Sequence, residues 1–236
     1  MNRQIHLVMR AGADALNIIS SQVTGRKLVT ANQRARWAAR AEAWPQEVDG
    51  LVKDAYYTAL DQTLVATLTG LTDVKRLLEV GCFFGWRLAQ VAQAFPQAAV
   101  IGVDLVLEGL QVAKHTGRMR CLVNADATCL PFHSNAVDCV YTVACLTHIP
   151  ERAVARALDE MQRVTRRYLV LMEIYDRPMR LSQRLRTWAW RDGFCHAYER
   201  LLSREGLTQI RMEALCDAEG HPRLTLFVYA KTSERA

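Results

Sequence analysis

The chain lacks several features, and each absence narrows its reading. None of its 236 residues falls in an apolar run long enough to span a membrane. Near the start only Ile5 to Met9 is apolar in character, too short for a signal-peptide core. The 7 cysteines include no Cys-x-x-Cys pair, so no zinc site and no other metal centre is expected. Cys82, Cys121, Cys139 and Cys145 lie within or beside apolar runs and read as reduced core residues of a cytoplasmic protein. Lysine-rich tails, low-complexity tracts and internal repeats are missing. So is a full Gly-x-Gly-x-x-Gly fingerprint, because Phe83 holds its middle position, and this argues against a nicotinamide-dependent oxidoreductase.

What is present suits one domain, or one domain with a cap: 50% of the residues are hydrophobic and 23% are charged. The net charge is +6 and the pI about 9.1. That excess, mostly arginine, fits either solvated helix surfaces or a nucleic-acid, phosphorylated or membrane-surface partner. Residues 1 to 70 carry helical periodicity, clearest over Ala31–Trp44 and Val48–Leu68, with Pro45 between them. Beyond them strands and helices alternate. Strands are predicted at 76–80, 99–103, 120–124, 137–142, 166–173, 207–213 and 223–230. Helices are predicted at 86–95, 107–115, 151–162 and roughly 178–205. Such alternation implies a mostly parallel sheet covered on both faces. The polar link Asp217 to Pro222 implies an antiparallel hairpin at the end.

The most informative stretch is Leu77 to Gly85, Leu-Leu-Glu-Val-Gly-Cys-Phe-Phe-Gly. An apolar run ends in Glu79, and Gly81 and Gly85 open a helix from Trp86. Such a turn lets backbone amides approach a ligand closely. A second run ends in Asp104, where nucleotide-binding α/β folds place an acid against ribose hydroxyls. Then follow Asn124-Ala125-Asp126-Ala127, Leu130-Pro131-Phe132, Val137-Asp138, Thr147-His148-Ile149 and Glu160-Met161-Gln162-Arg163-Val164.

Taken together, residues 77 to about 173 resemble the class I S-adenosylmethionine-dependent methyltransferases of the small type 11 kind, whose loop usually reads Glu/Asp-x-Gly-x-Gly-x-Gly. The resemblance implies an α/β, Rossmann-like fold: a seven-stranded, mostly parallel sheet with helices on both faces and an antiparallel C-terminal hairpin. Residues 1–70 would form a helical N-terminal lid, and residues 71–236 a methyltransferase domain with a helical insert at about 176–205. The implied cofactor is S-adenosyl-L-methionine, with S-adenosyl-L-homocysteine as product. Its implied binding residues are Glu79, Gly81, Cys82, Gly85, Asp104, Leu105, Asp126, Ala127 and Val143. Glu79 would lie near the ligand's ammonium group, Asp104 on the ribose, and Asp126 and the Ala127 amide on adenine.

Each residue also has a plainer role open to it. Glu79 fits helix N-terminal amides as partners, Asp104 a cap on helix 107–115, and Asp126 a turn. Phe83 would floor the methionine tail or wall off the substrate, and Phe84 reads as core. His148 is either a base for the acceptor or a cap on the helix beginning near Pro150, and His196 is the second candidate base. Arg177, Arg180, Arg184 and Arg191 share one helical face, either a surface or a seat for an anionic acceptor. Tyr57, Phe83, Arg180, Arg184 and Tyr198 are the expected substrate-side residues. The acceptor implied is the O or N of a small molecule, a natural product or sugar derivative. An anionic or nucleic-acid acceptor and a non-catalytic cofactor binder are the alternatives. The chain lacks the Asn/Asp-Pro-Pro-Tyr run of many methylases of exocyclic base nitrogens.

Overall fold

Successive residues of the central strands point to opposite faces of one sheet, and both faces are apolar. Leu77, Cys139, Tyr141, Val170 and Met172 enter one core, while Leu78, Val140, Leu169, Leu171 and Phe227 enter the other. A strand buried on both faces reads as a continuous apolar run, and that requires helices above and below. The computed structural model of the chain supplies them. It describes residues 34–41, 55–175, 196–202 and 206–232.

Helices α1 (34–41) and α2 (Ala55–Thr69) precede β1 (Arg76–Val80). Then come α3 (Trp86–Ala94), β2 (Ala99–Asp104), α4 (Leu107–His115), β3 (Leu122–Asn124) and β4 (Val137–Val143). A short 3₁₀ turn (Leu146–His148) leads to α5 (Glu151–Val164) and β5 (Thr165–Glu173). Last are α6 (Tyr198–Leu202), β6 (Leu207–Cys216) and β7 (Pro222–Lys231). The sheet has seven strands in the order β3-β2-β1-β4-β5-β7-β6. The first five are parallel, and β7 runs antiparallel to both β5 and β6.

The predicted architecture and hairpin are therefore present. At the edge, β3 is shorter than the predicted 120–124, and Cys121 is exposed rather than core. Of the predicted helix 178–205, only α6 lies among the described residues. No helix among the described residues is long and apolar enough to cross a membrane.

From β1 the chain winds outward to β2 and β3, then returns to β4 and winds the other way. The reversal falls between β1 and β4, where Glu79 stands directly opposite Tyr141. In open α/β sheets the crevice beyond the strand ends at such a reversal receives the ligand.

One contact that the periodicity did not reveal fastens α2 to α3. The carboxylate of Asp61 accepts from Trp86 Nε1 (3.0 Å), Arg87 Nε (2.8 Å) and Gln90 Nε2 (2.9 Å). Leu60, Leu64 and Leu68 bury the rest of that face of α2. Asp61→Ala strands three donors on α3 at once. The expected cost is about 1–3 kcal/mol, measured as a lower urea midpoint with an unchanged m-value. Asp61→Asn, which keeps one acceptor oxygen, should lose less.

Candidate functional site

The glycine turn after β1 has three residues in the left-handed region: Gly81 (φ 84°), Phe83 (φ 45°) and Gly85 (φ 74°). Gly81 and Cys82 donate their amides to the Val103 carbonyl at 2.8 and 3.1 Å, which seats the turn on β2. A Cβ at position 81 would collide with Cys145 Sγ, so a bare backbone is required there. Phe83 occupies the place of the usual middle glycine and takes up a glycine-like conformation, at about 1–2 kcal/mol of strain. Its ring rests on Gly109 of α4, where an added Cβ would strike it. The missing glycine of the turn is thus matched by a glycine on the neighbouring helix.

Acids close the strands around this turn. Glu79 is buried and accepts from the Tyr141 hydroxyl at 3.2 Å. Its partner is a side chain of β4, not the helix N-terminal amides that the sequence left open. Burial pushes its pKa up to about 8, against the pull of the Arg87 guanidinium. Asp104, also buried, accepts from the Phe83 amide through Oδ2 (2.7 Å) and from the Val106 amide through Oδ1 (2.8 Å). Burial raises its pKa, and these amides hold the rise back. Val106 caps α4 without a side-chain bond, so Asp104 ties the turn to β2 rather than capping the helix. Half-buried Leu105 lends its carbonyl to Asn124 Nδ2 at 3.0 Å.

Asp126 forms the turn that was its alternative role: Oδ1 accepts from the Thr128 amide and hydroxyl, both at 2.8 Å. Ala127 is half-buried beside the core. The side chains of Cys82 and Val143 are buried in the other core, on the opposite face of the sheet.

The segment after β4 faces the glycine turn. The half-buried His148 ring meets the edge of Trp37 from α1 at 4.9 Å, and Trp37 in turn meets Phe83 at 5.3 Å. Pro150 is the N-cap of α5 and the helix has no side-chain cap, so the capping role open to His148 is not the one found.

His196, the second candidate base, is buried. Its Nε2 lies 3.0 Å from the carbonyls of both Leu146 and Ile149. Two carbonyls demand a donor, so Nε2 carries the proton and cannot accept one. Tyr198, expected on the substrate side, is fully buried in the core beside Phe227 (5.7 Å), because its face of α6 turns toward α5 and the sheet. Phe84 is half-buried instead of core and carries the Arg118 guanidinium over its ring at 5.3 Å. Tyr57 is half-buried at the margin of the α2-side core, next to Tyr56. Arg180 and Arg184, with the rest of the arginine face, lie outside the described residues.

Sequence reasoning missed Glu173, the last residue of β5. It is wholly buried, and burial pushes its pKa up to about 7. Like Glu79 and Asp104, it is an acid ending an apolar run, and that shared pattern was the available signal.

Both displaced acids have the same sign. In the unfolded chain each ionises near the usual value of 4.5, whereas the folded protein keeps Glu79 protonated to about 8 and Glu173 to about 7. The folded state then holds more protons, so their contribution is full below the unfolded value and is lost as pH rises through the folded ones. Stability by urea denaturation is expected to fall between pH 5 and about 8. The Glu79→Gln variant should show a shallower fall, and an identical slope would show that Glu79 does not titrate in this window.

Comparison with known proteins agrees with this geometry. Residues 77–167 match the family described as "Methyltransferase domain". A demethylmenaquinone methyltransferase of Roseiflexus castenholzii is 30% identical over 107 residues, which are 44% of this chain and 44% of that protein. The matched region thus covers less than half the length of this curated relative. Magnesium protoporphyrin IX methyltransferase from Synechocystis PCC 6803, solved with S-adenosylmethionine, shares the fold at TM-score 0.59 and 15% identity, over 75% of this chain and 80% of that one. The N-methyltransferase NodS from Bradyrhizobium japonicum WM9, solved with S-adenosylhomocysteine, does so at TM-score 0.61 and 16% identity, over 77% and 90%. The strand order is that of the Rossmann-like methyltransferase fold of these solved structures, and by its family match residues 77–167 form a methyltransferase domain.

Proposed function

We propose that the chain binds S-adenosylmethionine beyond the ends of β1, β2 and β4 and transfers its methyl group to an oxygen or nitrogen of a small-molecule acceptor. One observation carries the reading: Asp104, ending β2, holds the Phe83 amide of the glycine turn that follows β1, beside the point where the sheet order reverses. The donor set suits this cofactor. A ligand with an ammonium group, a sulfonium, vicinal hydroxyls and an exocyclic amine calls for acceptors and negative charge, and Glu79, Asp104 and Asp126 supply them. Glu79 would meet the ammonium group. Asp104 would take the ribose hydroxyls on the lone pairs left by its two amide bonds. Asp126, using Oδ2, and the Ala127 amide would read adenine. Gly81, Cys82, Gly85, Leu105 and Val143 would line the crevice through their backbone.

When bound, the cofactor supplies a methyl group already activated by its sulfonium, so the chain's task is alignment and exclusion of water. Residues 1–70 would cover the crevice, a role supported by the contacts of Trp37 with Phe83 and His148. The insert at 176–205, with Arg180 and Arg184, would border the acceptor, as would Tyr57 and Phe83. His148 would take the acceptor's proton. The names of the relatives, demethylmenaquinone and magnesium protoporphyrin IX methyltransferases, support a small-molecule acceptor.

Calorimetry with S-adenosylhomocysteine tests the cofactor site directly. Asp104→Ala is expected to weaken binding by about 1–3 kcal/mol, the value of charged hydrogen bonds lost. Unchanged affinity would remove Asp104 from the site. For the acceptor side, methyl-labelled cofactor and small-molecule extracts should reveal a labelled product. His148→Ala should then lower turnover at least about tenfold, the lower end of what a positioned base contributes, with affinity for S-adenosylhomocysteine unchanged. Wild-type turnover in that variant would leave proton removal to solvent or to another group.

A further inference from the structure

The turn between β4 and α5 is held on two sides by buried ionisable side chains that no sequence motif places together. On one side is Glu173. Its Oε1 accepts from the amides of Cys145 (3.0 Å) and Leu146 (3.2 Å), and its Oε2 lies 3.4 Å from the amide of Thr147. On the other side is His196, whose Nε2 sits 3.0 Å from the carbonyls of Leu146 and Ile149. Ala144 opens the turn in the left-handed region (φ 50°), a conformation costly for a residue with a Cβ. The same turn carries His148 and presses Cys145 against Gly81. A backbone that must leave a strand sharply and in a strained conformation stays in place only when its polar groups are over-determined. Here a carboxylate gathers the amides and an imidazole gathers the carbonyls.

We propose that Glu173 and His196 are positioning residues for the acceptor side of the site: together they fix the turn at 144–149 so that His148 is held against Trp37 and opposite the glycine turn. Neither touches the reacting atoms. The part that concerns methyl transfer rests on the function proposed above, whereas the clamp itself does not. Glu173 acts from β5, the strand paired with β4, and the clamp is therefore built into the strand order.

Hydrogen exchange read residue by residue, with urea denaturation of the same proteins, tests this. In Glu173→Gln one of the two acceptor oxygens becomes a donor facing other donors. At least one of the amides of Cys145, Leu146 and Thr147 is expected to exchange at least about tenfold faster, while those of Leu78 and Val103 keep wild-type rates. The His148 ring signals, in protein labelled at histidine, should shift or broaden in Glu173→Gln and in His196→Ala. His196→Gln, which restores an N–H donor to the two carbonyls, should return them toward wild type. Wild-type exchange of the turn in Glu173→Gln would overturn the proposal. So would acceleration spread equally over the strands, which would make Glu173 a general stability residue, or His148 signals that are the same in all variants. Affinity for S-adenosylhomocysteine, measured alongside, should stay within about threefold of wild type in each. If the wild-type protein itself fails to bind S-adenosylhomocysteine, the methyltransferase reading fails and the clamp is still decided by exchange and by the His148 signals.

Discussion

The Asp104 carboxylate is the point on which the site depends. One oxygen takes the amide of Phe83 and the other the amide of Val106, so a single side chain joins the glycine turn to the start of the α4 connection. Burial makes this expensive for an ion, and the two amides compensate. The register of β1 on β2 brings Val80 beside Val103, which places the turn within reach of the last residue of β2. Without that bond the left-handed Phe83 has little to hold it, and the ring that covers Gly109 loses its anchor.

A second constraint is the crowding of acids. Asp104 and Asp61 act on Glu79 near the turn and add to the burial that keeps it protonated to about 8, with Arg87 as the opposing charge. Ionising Glu79 would set three carboxylates against one guanidinium, a place short of positive charge. A cationic ligand would relieve it, while an anionic one would add to the repulsion.

The central strands were legible because each is apolar on both faces, and the acids Glu79 and Asp104 because each interrupts such a run at its end. Helix α4 fell within its predicted bounds for a similar reason, since its apolar spacing is uninterrupted. Less legible was whatever depends on partners distant in sequence. The sequence shows an acid at 173 but not that β5 lies beside β4, and only that pairing turns Glu173 toward the amides of the next turn. His196 and Tyr198 looked available because their composition suits a site. Which face of α6 is buried is decided by α5 and β7, and no local periodicity in so short a helix reports it. Asp61 sits in a helix whose apolar pattern gives no sign that its one acid gathers three donors. The exposure of Cys121 was not legible because it leads into β3, an edge strand paired only with β2 and open on its other side.

The pairing of Phe83 with Gly109 has a consequence for how such a chain can vary. An absent side chain is a requirement of the space between the glycine turn and α4, not of a particular residue number. Here the vacancy lies on the helix, at Gly109, and the loop carries the ring. The two positions are therefore sterically coupled. A descendant that recovers glycine at 83 is released to place alanine at 109 and gain helix propensity, whereas either change made against its partner leaves a hole or a collision. Correlated substitution at these two sites, in chains that otherwise keep the turn, is the trace that such an exchange would leave.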